Sequence, residues 1–344
     1  MGPQVTAFEQ RLAEYVGVEF AVAANGGTSA LHLIMCALGI GLGDEVITTP
    51  FSFVASANCI LFVGATPIFV DVDPLTLCLD PDRVEQAITP NTKAILAVDI
   101  FGHPADWPAL ERIAKQHNLH LIEDAAEALG SGLGLDRCGS FGEAAIFGFY
   151  PNKVITTGEG GAVLTDNRAV AEICRSLSNQ GRQSEGGWAP HVRLGFNYRM
   201  NEIEAVLGIT QLARIDDLIS RRESVARWYQ SALKTIEGIA TPIAKADTQV
   251  SWSSYVIRLS SEFTRRDRDV LLTGLRARGI DCRDYFAPIH LQPLYREKLG
   301  SHEGTYPIAE AQSERTIALP YFSQLSQEEV EHIARVLGEL VIRT

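Results

Sequence analysis

The sequence predicts an α/β fold: a large domain with a mostly parallel mixed sheet flanked by helices, then a smaller α+β domain at the C-terminus. Three observations lead there. Short apolar runs of strand length alternate with helical patterns from Thr6 to Thr165, as in a largely parallel sheet. A helical pattern from Asn201 to about Ile236 follows, long enough to bridge two domains or an interface. After Gly238 the pattern changes to separated strands and helices. At 344 residues the chain exceeds one typical domain. We expect a large domain over residues 1–215 and a small one over 216–344 that includes the bridging helix.

In chain order, residues 6–16 have helical periodicity and 20–24 make a short strand. Gly26-Gly27-Thr28 opens a second helix, a junction that points free amides and a hydroxyl at an anion, although plain helix capping looks the same. Strands are expected at 46–49 and 66–70, with a helical stretch from Ser52 to Val63 between them. Further strands are expected at 92–98, 119–122, 144–149 and 161–165. Gly130-Ser-Gly132-Leu-Gly134 resembles a dinucleotide loop but opens no helix, so it reads as a surface turn. In the second part, 255–259 reads as strand, 268–278 as helix and 327–340 as a terminal helix.

Composition narrows the function. A formal net charge of −12 argues against nucleic-acid or anionic-membrane binding, yet a local nest of amides could still hold a phosphate. Six scattered cysteines, with no C-x-x-C pair, read as buried free thiols, and no residue set has metal-ligand spacing, so no metal is expected. No signal peptide and no apolar run of membrane length are found, which makes a reducing cytoplasm the default compartment.

The most informative segment is Gly148 to Gly161, GFYPNKVITTGEGG. It sets Lys153, one of six lysines against twenty-four arginines, between an apolar run and a glycine-rich turn. A desolvated lysine at such a junction suits Schiff-base chemistry. About thirty residues upstream, His120-Leu-Ile-Glu-Asp124-Ala-Ala-Glu127 ends a strand with two carboxylates three residues apart. A lysine for an aldehyde carbon and a carboxylate for a pyridinium nitrogen are what pyridoxal 5'-phosphate needs.

Taken together, Gly27-Thr28-Ser29, Pro50 to Ser56, Asp124 to Glu127 and Asn152-Lys153 with Thr157 to Gly161 resemble the sugar aminotransferases of the DegT/DnrJ/EryC1/StrS family. The resemblance continues through Asn179 to Arg182, Gly195 to Met200, Gln211-Leu212, Pro288 to His290 and Leu319-Pro320, nearly the whole chain. It implies the fold of the type-I pyridoxal-phosphate enzymes, with the cofactor in the large domain.

The resemblance also implies roles. Lys153 would hold the cofactor and carry protons, and Asp124 would pair with the ring nitrogen; for Asp124 a helix N-cap is the rival role. Glu127 would lie near the ring hydroxyl, where relatives carry Gln, His or Glu, and Phe53 would stack on the ring. Gly27, Thr28 and Ser29 would hold the phosphate, with Asn197 reaching it from the partner subunit and Arg199 nearby. Substrate contacts are expected among Tyr150, Arg182, Arg199, Arg283, Tyr285 and His290, with Asn179 and Trp252 as further candidates. Two departures stand out: Gly148 replaces a phosphate-binding serine of many relatives, and the chain begins at a motif that in relatives follows a couple of dozen residues.

The implied activity moves an amino group from glutamate or glutamine to a nucleotide-linked keto sugar, in a homodimer with shared sites. A 4-keto-6-deoxy hexose is the expected substrate. An aminoshikimate-type synthase and a non-catalytic regulatory protein of the same fold are the alternatives. Lys153 argues against the dehydratases of the family, which carry histidine there.

Overall fold

A computed structural model describes residues 2–183 and 190–342. The chain opens with α1 (Pro3–Val16), β1 (Phe20–Ala24) and α2 (Gly27–Ala37), then β2 (Glu45–Thr48), α3 (Ala55–Phe62) and β3 (Thr66–Phe69). There follow α4 (Pro81–Ala87), β4 (Thr92–Val98), α5 (Trp107–His117), β5 (His120–Asp124), and the two-residue strands β6 (Gly132–Leu133) and β7 (Asp136–Arg137). Two longer strands, β8 (Ala144–Gly148) and β9 (Gly161–Thr165), and α6 (Arg168–Ser178) complete this part.

Seven of these strands make one sheet in the order β1-β9-β8-β5-β4-β2-β3. The pairs β8/β5, β5/β4, β4/β2 and β2/β3 are parallel, and β9 alone runs against both neighbours. Helices cover the sheet, so its strands are nearly continuous apolar runs; Ala94 to Val98 are all buried. The carboxyl ends of β1, β5 and β8 and the start of β9 therefore meet on one edge, with Gly161 paired to both Ala24 and Gly148. That edge is where open α/β sheets bind ligands.

The glycines of this edge have a steric cause. A Cβ at Gly161 would lie 2.5 Å from the carbonyl carbon of Gly26, so the turn from β1 into α2 can pass over β9 only if residue 161 lacks a side chain. At Gly160, φ is +153°, a conformation that side chains rarely adopt.

The expected bridging helix is two helices. α7 (Glu202–Leu212) ends where Arg214 leaves helical geometry at φ −116° and ψ 11°, and α8 (Ile215–Leu233) begins at the next residue. The bend keeps Leu212 and Ile215 both buried while α7 packs on α1 and α8 continues into the C-terminal part. No glycine or proline marks it. Asn201 and Glu204 form a capping box that starts α7, and Glu202 accepts from the amides of Gln4 (2.9 Å) and Val5 (3.2 Å), satisfying the exposed start of α1.

Beyond Leu233 come β10 (Ile239–Ala240), β11 (Thr248–Gln249), β12 (Tyr255–Leu259), α9 (Arg265–Arg276), α10 (Pro293–Leu299), α11 (Pro307–Ser313), β13 (Thr316–Leu319) and α12 (Gln327–Val341). β10, β12 and β13 form an antiparallel sheet, and a second apolar cluster joins it to α8, α9 and α12. The first cluster takes in the large sheet and reaches Val256, Ala309 and Ala318 of the C-terminal part.

The expected surface turn at residues 130–134 is half met: Gly134 lies in the exposed turn between β6 and β7, but Gly130 to Gly132 before it are buried. β6 pairs with both β7 and β11, and Ser131, fully buried, donates to the Gly102 carbonyl at 2.6 Å while its oxygen accepts from the Ser251 amide at 2.9 Å. Short polar stretches read as turns from sequence; the local pairing with β7 makes this one a hairpin, and the distant segment Thr248–Gln249 adds a third strand. The six cysteines are free; five are buried and Cys36 is half-buried.

Candidate active site

A cavity of about 410 Å³ opens at the carboxyl edge of the sheet, lined by residues from the α2 start, α3, the end of β5 and the loop after β8. Gly27, Thr28, Phe53, Asp124, Glu127, Tyr150, Lys153 and Tyr285 all face it. Residues far apart in the chain were expected to serve one site, and the sheet brings them together.

Asp124 ends β5, and its carboxylate is buried. Oδ2 accepts from Ser56 Oγ at 2.8 Å, and Oδ1 accepts from the Ala126 amide at 3.2 Å. Burial pushes its pKa above the usual carboxylate range, while Ser56, the Ala126 amide and the charge of Lys153 pull it back and Glu127 pushes it up. A carboxylate so desolvated has most to gain from a cationic partner placed in the cavity.

Lys153 sits in a loop folded back on Phe149: the Phe149 amide donates to Gly160 O at 2.9 Å, and the Thr157 amide donates to Phe149 O at 3.0 Å. Phe149 is fully buried and meets the Phe8 ring edge-on at 5.3 Å, which ties the loop to α1. Lys153 Nζ reaches Glu127 Oε1 at 3.1 Å, and Glu127 Oε2 accepts from the Phe101 amide at 2.9 Å. Glu127 is therefore a held carboxylate that aims the lysine rather than a solvated one on a helix face.

The start of α2, just after β1, also lines the cavity. The amides of Gly27, Thr28 and Ser29 lie in its first turn, where a helix has no internal acceptors, and the helix dipole favours an anion there. Phe53 is 63% exposed, and its ring borders the cavity rather than the core. At Gly148, an added Cβ would meet only Ala126 and Lys153, at 3.6 to 4.0 Å, so the missing side chain leaves ordinary space.

Other expected residues fall elsewhere. Arg283 lines a second cavity, of about 430 Å³, that shares Asn152, Lys153 and Tyr285 with the first. Arg199 lines neither; its Nη1 donates to Asn179 Oδ1 at 3.0 Å and Gln180 Oε1 at 2.9 Å. Asn197, exposed, bridges to Asn179, and Arg182 bridges to His191, both outside the two cavities. Trp252 stacks obliquely near Tyr255. His290 is fully buried, with Nε2 at 3.0 Å from Glu310 Oε1 and its ring against Tyr306, so it serves packing, and it lines neither of the two cavities. Two residues of the site carried no sequence role: Ser56, inside a quoted motif, and Arg222, which reads as an ordinary arginine on a helix.

On the far face of the sheet, Asp99, Glu123 and Cys138 gather buried ligand atoms within 4.8 Å, the one such group among the described residues. Glu123 already accepts from the Gly139 and Phe141 amides, and Asp99 accepts from Ala105 N and Trp107 Nε1. Burial raises both acids, Asp99 to about 6, as in an acid pair that shares a proton.

A family model for these enzymes matches residues 1–338. The chain belongs to the DegT/DnrJ/EryC1/StrS aminotransferase family. It is 39% identical to the GDP-perosamine synthase of Caulobacter vibrioides, across 99% of this chain and 91% of that protein. The crystal structure of S. venezuelae DesV superposes with a TM-score of 0.94 at 36% identity, covering 100% of this chain and 91% of that one. The pyridoxal-phosphate form of Spr1654, a sugar aminotransferase of Streptococcus pneumoniae, superposes with a TM-score of 0.95 at 30% identity, covering 100% and 92%. The fold is that of the pyridoxal-phosphate aminotransferases, and pyridoxal 5'-phosphate is the cofactor of this family.

The residues present fit that group: unpaired amides for a phosphate, a buried carboxylate lacking a cation, an exposed ring and an oriented lysine. Desolvation of Asp124 yields a stability test on the cofactor-free protein. A carboxyl with a raised pKa binds its proton more tightly folded than unfolded, so ionising it weakens the fold as pH rises from the usual carboxylate range through the raised value. Asp124→Asn is therefore expected to raise the melting temperature at neutral pH, with the gain shrinking as pH falls into the carboxylate range. A lower melting temperature at neutral pH would contradict this.

Proposed function

We propose that this aminotransferase moves an amino group from glutamate to a nucleotide-linked 4-keto-6-deoxy hexose. The carrying observation is that one cavity presents Lys153 and the buried Asp124 together with the start of α2 and its free amides. Pyridoxal phosphate, when bound, supplies an aldehyde that takes up the amino group and a ring that spreads carbanion charge.

The chain's residues do the rest. Lys153 would hold the cofactor's aldehyde carbon and, once released, carry a proton at Nζ, with Glu127 keeping that nitrogen in place. Asp124, with Ser56 and the Ala126 amide on its oxygens, would keep the ring nitrogen protonated. The first turn of α2 would hold the phosphate, and Phe53 would cover a ring face. Tyr150, Tyr285 and Arg283 border the space left for substrate.

A ring ketone brings no carboxylate, so its recognition needs hydroxyl partners and a cradle for the diphosphate. Relatives named for GDP- and dTDP-linked amino sugars favour such a substrate. One is named a dTDP-3-amino-3,4,6-trideoxy-alpha-D-glucose transaminase, which makes the 3-keto isomer the necessary control. The amine-loaded enzyme, offered dTDP-, UDP- and GDP-linked 4-keto sugars, a 3-keto isomer and pyruvate, is expected to turn over a 4-keto sugar. Preference for the 3-keto isomer would correct the regiochemistry, and turnover of pyruvate alone would defeat the reading. With the sugar identified, Asp124→Asn should lower kcat on the order of 100-fold, about 3 kcal/mol, and Glu127→Gln less.

The active unit is proposed to be a homodimer with shared sites. α7 turns Ile203, Val206 and Leu207 to solvent, and Leu194 and Asn197 in the segment before it are exposed as well. Exposed apolar side chains on one helix call for a partner, and Asn197 lines neither cavity of its own chain. Mixing inactive Lys153→Ala with inactive Asn197→Ala protein should restore part of the activity, because one site of each mixed dimer regains both residues. A fully active monomer at dilution would exclude sharing.

A further inference from the structure

The second cavity has an unbalanced lining. Arg214, Arg222 and Arg283 face it, against the single carboxylate of Asp281. Asp281 is already engaged, with Oδ1 accepting from Arg283 Nη1 at 2.6 Å. Arg222, in the second turn of α8, is only 5% exposed, yet it forms no ion pair with any carboxylate among the described residues. Its Nη2 donates to Ser253 O at 3.1 Å, and the guanidinium lies 5.0 Å from the Tyr321 ring centroid. Its Nε has no hydrogen-bond partner, and neither has the buried hydroxyl of Ser253 in the same wall. Burial also pulls the pKa of Arg222 down, and among its neighbours only the Tyr321 hydroxyl pulls the other way.

A buried guanidinium without an anion is costly, as is a buried hydroxyl without a partner. Both costs vanish if a ligand supplies the oxygens, and the planar fork of arginine suits a carboxylate or a phosphate. Lys153 and Tyr285 line this cavity as well as the first, so a molecule reacting at Lys153 can extend toward Arg222.

We propose that Arg222 and Ser253 form an oxyanion subsite that holds the anionic end of the substrate whose reacting carbon lies at Lys153. The proposal rests on the role given to Lys153 above. A carboxylate of the amino donor and the diphosphate of the nucleotide sugar share the required chemistry, and two probes separate them.

Glutarate and inorganic diphosphate would be titrated calorimetrically into the holoenzyme, whose cofactor already occupies the phosphate site at α2. The same titrations would use Arg222→Gln, Arg222→Lys and Ser253→Ala. At least one probe should bind the unmodified enzyme and lose roughly 10- to 100-fold in affinity in Arg222→Gln, with a smaller loss in the other two. Loss for glutarate assigns the subsite to the donor, and loss for diphosphate assigns it to the nucleotide sugar. In steady state the KM of the matching substrate should rise while kcat holds, a split that a merely structural arginine would not give. Failure of the unmodified enzyme to bind either probe, or equal affinities in every variant, overturns the proposal. If Arg222→Gln does not fold, Arg222→Lys and Ser253→Ala carry the comparison. The titration needs no turnover, so a protein that binds a probe but aminates no sugar would refute the proposed function and leave the subsite standing.

Discussion

The rest of the site is arranged around a carboxylate that has lost its water. Asp124 ends a central parallel strand, where the sheet buries it but the turn after β5 leaves its oxygens facing a cavity. Ser56 and the Ala126 amide hold it without neutralising it. A desolvated charge of this kind weakens the empty protein, and a cation brought by the cofactor would strengthen the loaded one. The three residues that follow bring Glu127 into reach of Lys153, so strand and turn together set the spacing between the two acids and the lysine.

The sheet edge explains why the motifs are glycine-rich. The start of β9, the end of β8 and the turn from β1 to α2 all crowd into one place, and Gly161 lies 2.5 Å, measured from its would-be Cβ, from the backbone of Gly26. What packs there is main chain against main chain. Free amides at α2 and an oriented loop at Lys153 are its by-products, and both are what a phosphorylated aldehyde cofactor requires.

The strands were legible because apolar runs of four to seven residues between turn signals are a local property, and β1, β4, β9 and β12 begin and end where the pattern places them. That Gly27, Thr28, Phe53, Asp124, Glu127 and Lys153 share one cavity was legible because they sit inside unusual local motifs. Features decided by distant partners were not. The break between α7 and α8 comes where α7 packs on α1, and the pairing of Gly132–Leu133 with Thr248–Gln249 joins segments far apart in the chain. His290 lies two residues after a proline in a motif, yet its ring is enclosed with Glu310 and Tyr306. Arg222 gave no sign at all, since a buried arginine on a helix is spelled like an exposed one.

Reductive trapping addresses the placement of Lys153 most directly. The holoenzyme would be treated with borohydride, digested and mapped by mass spectrometry. If Lys153 faces the cofactor as the cavity implies, the reduced cofactor is found on the peptide that contains Lys153, and Lys153→Ala protein carries no label. Label on any of the other five lysines would contradict the assignment of the site.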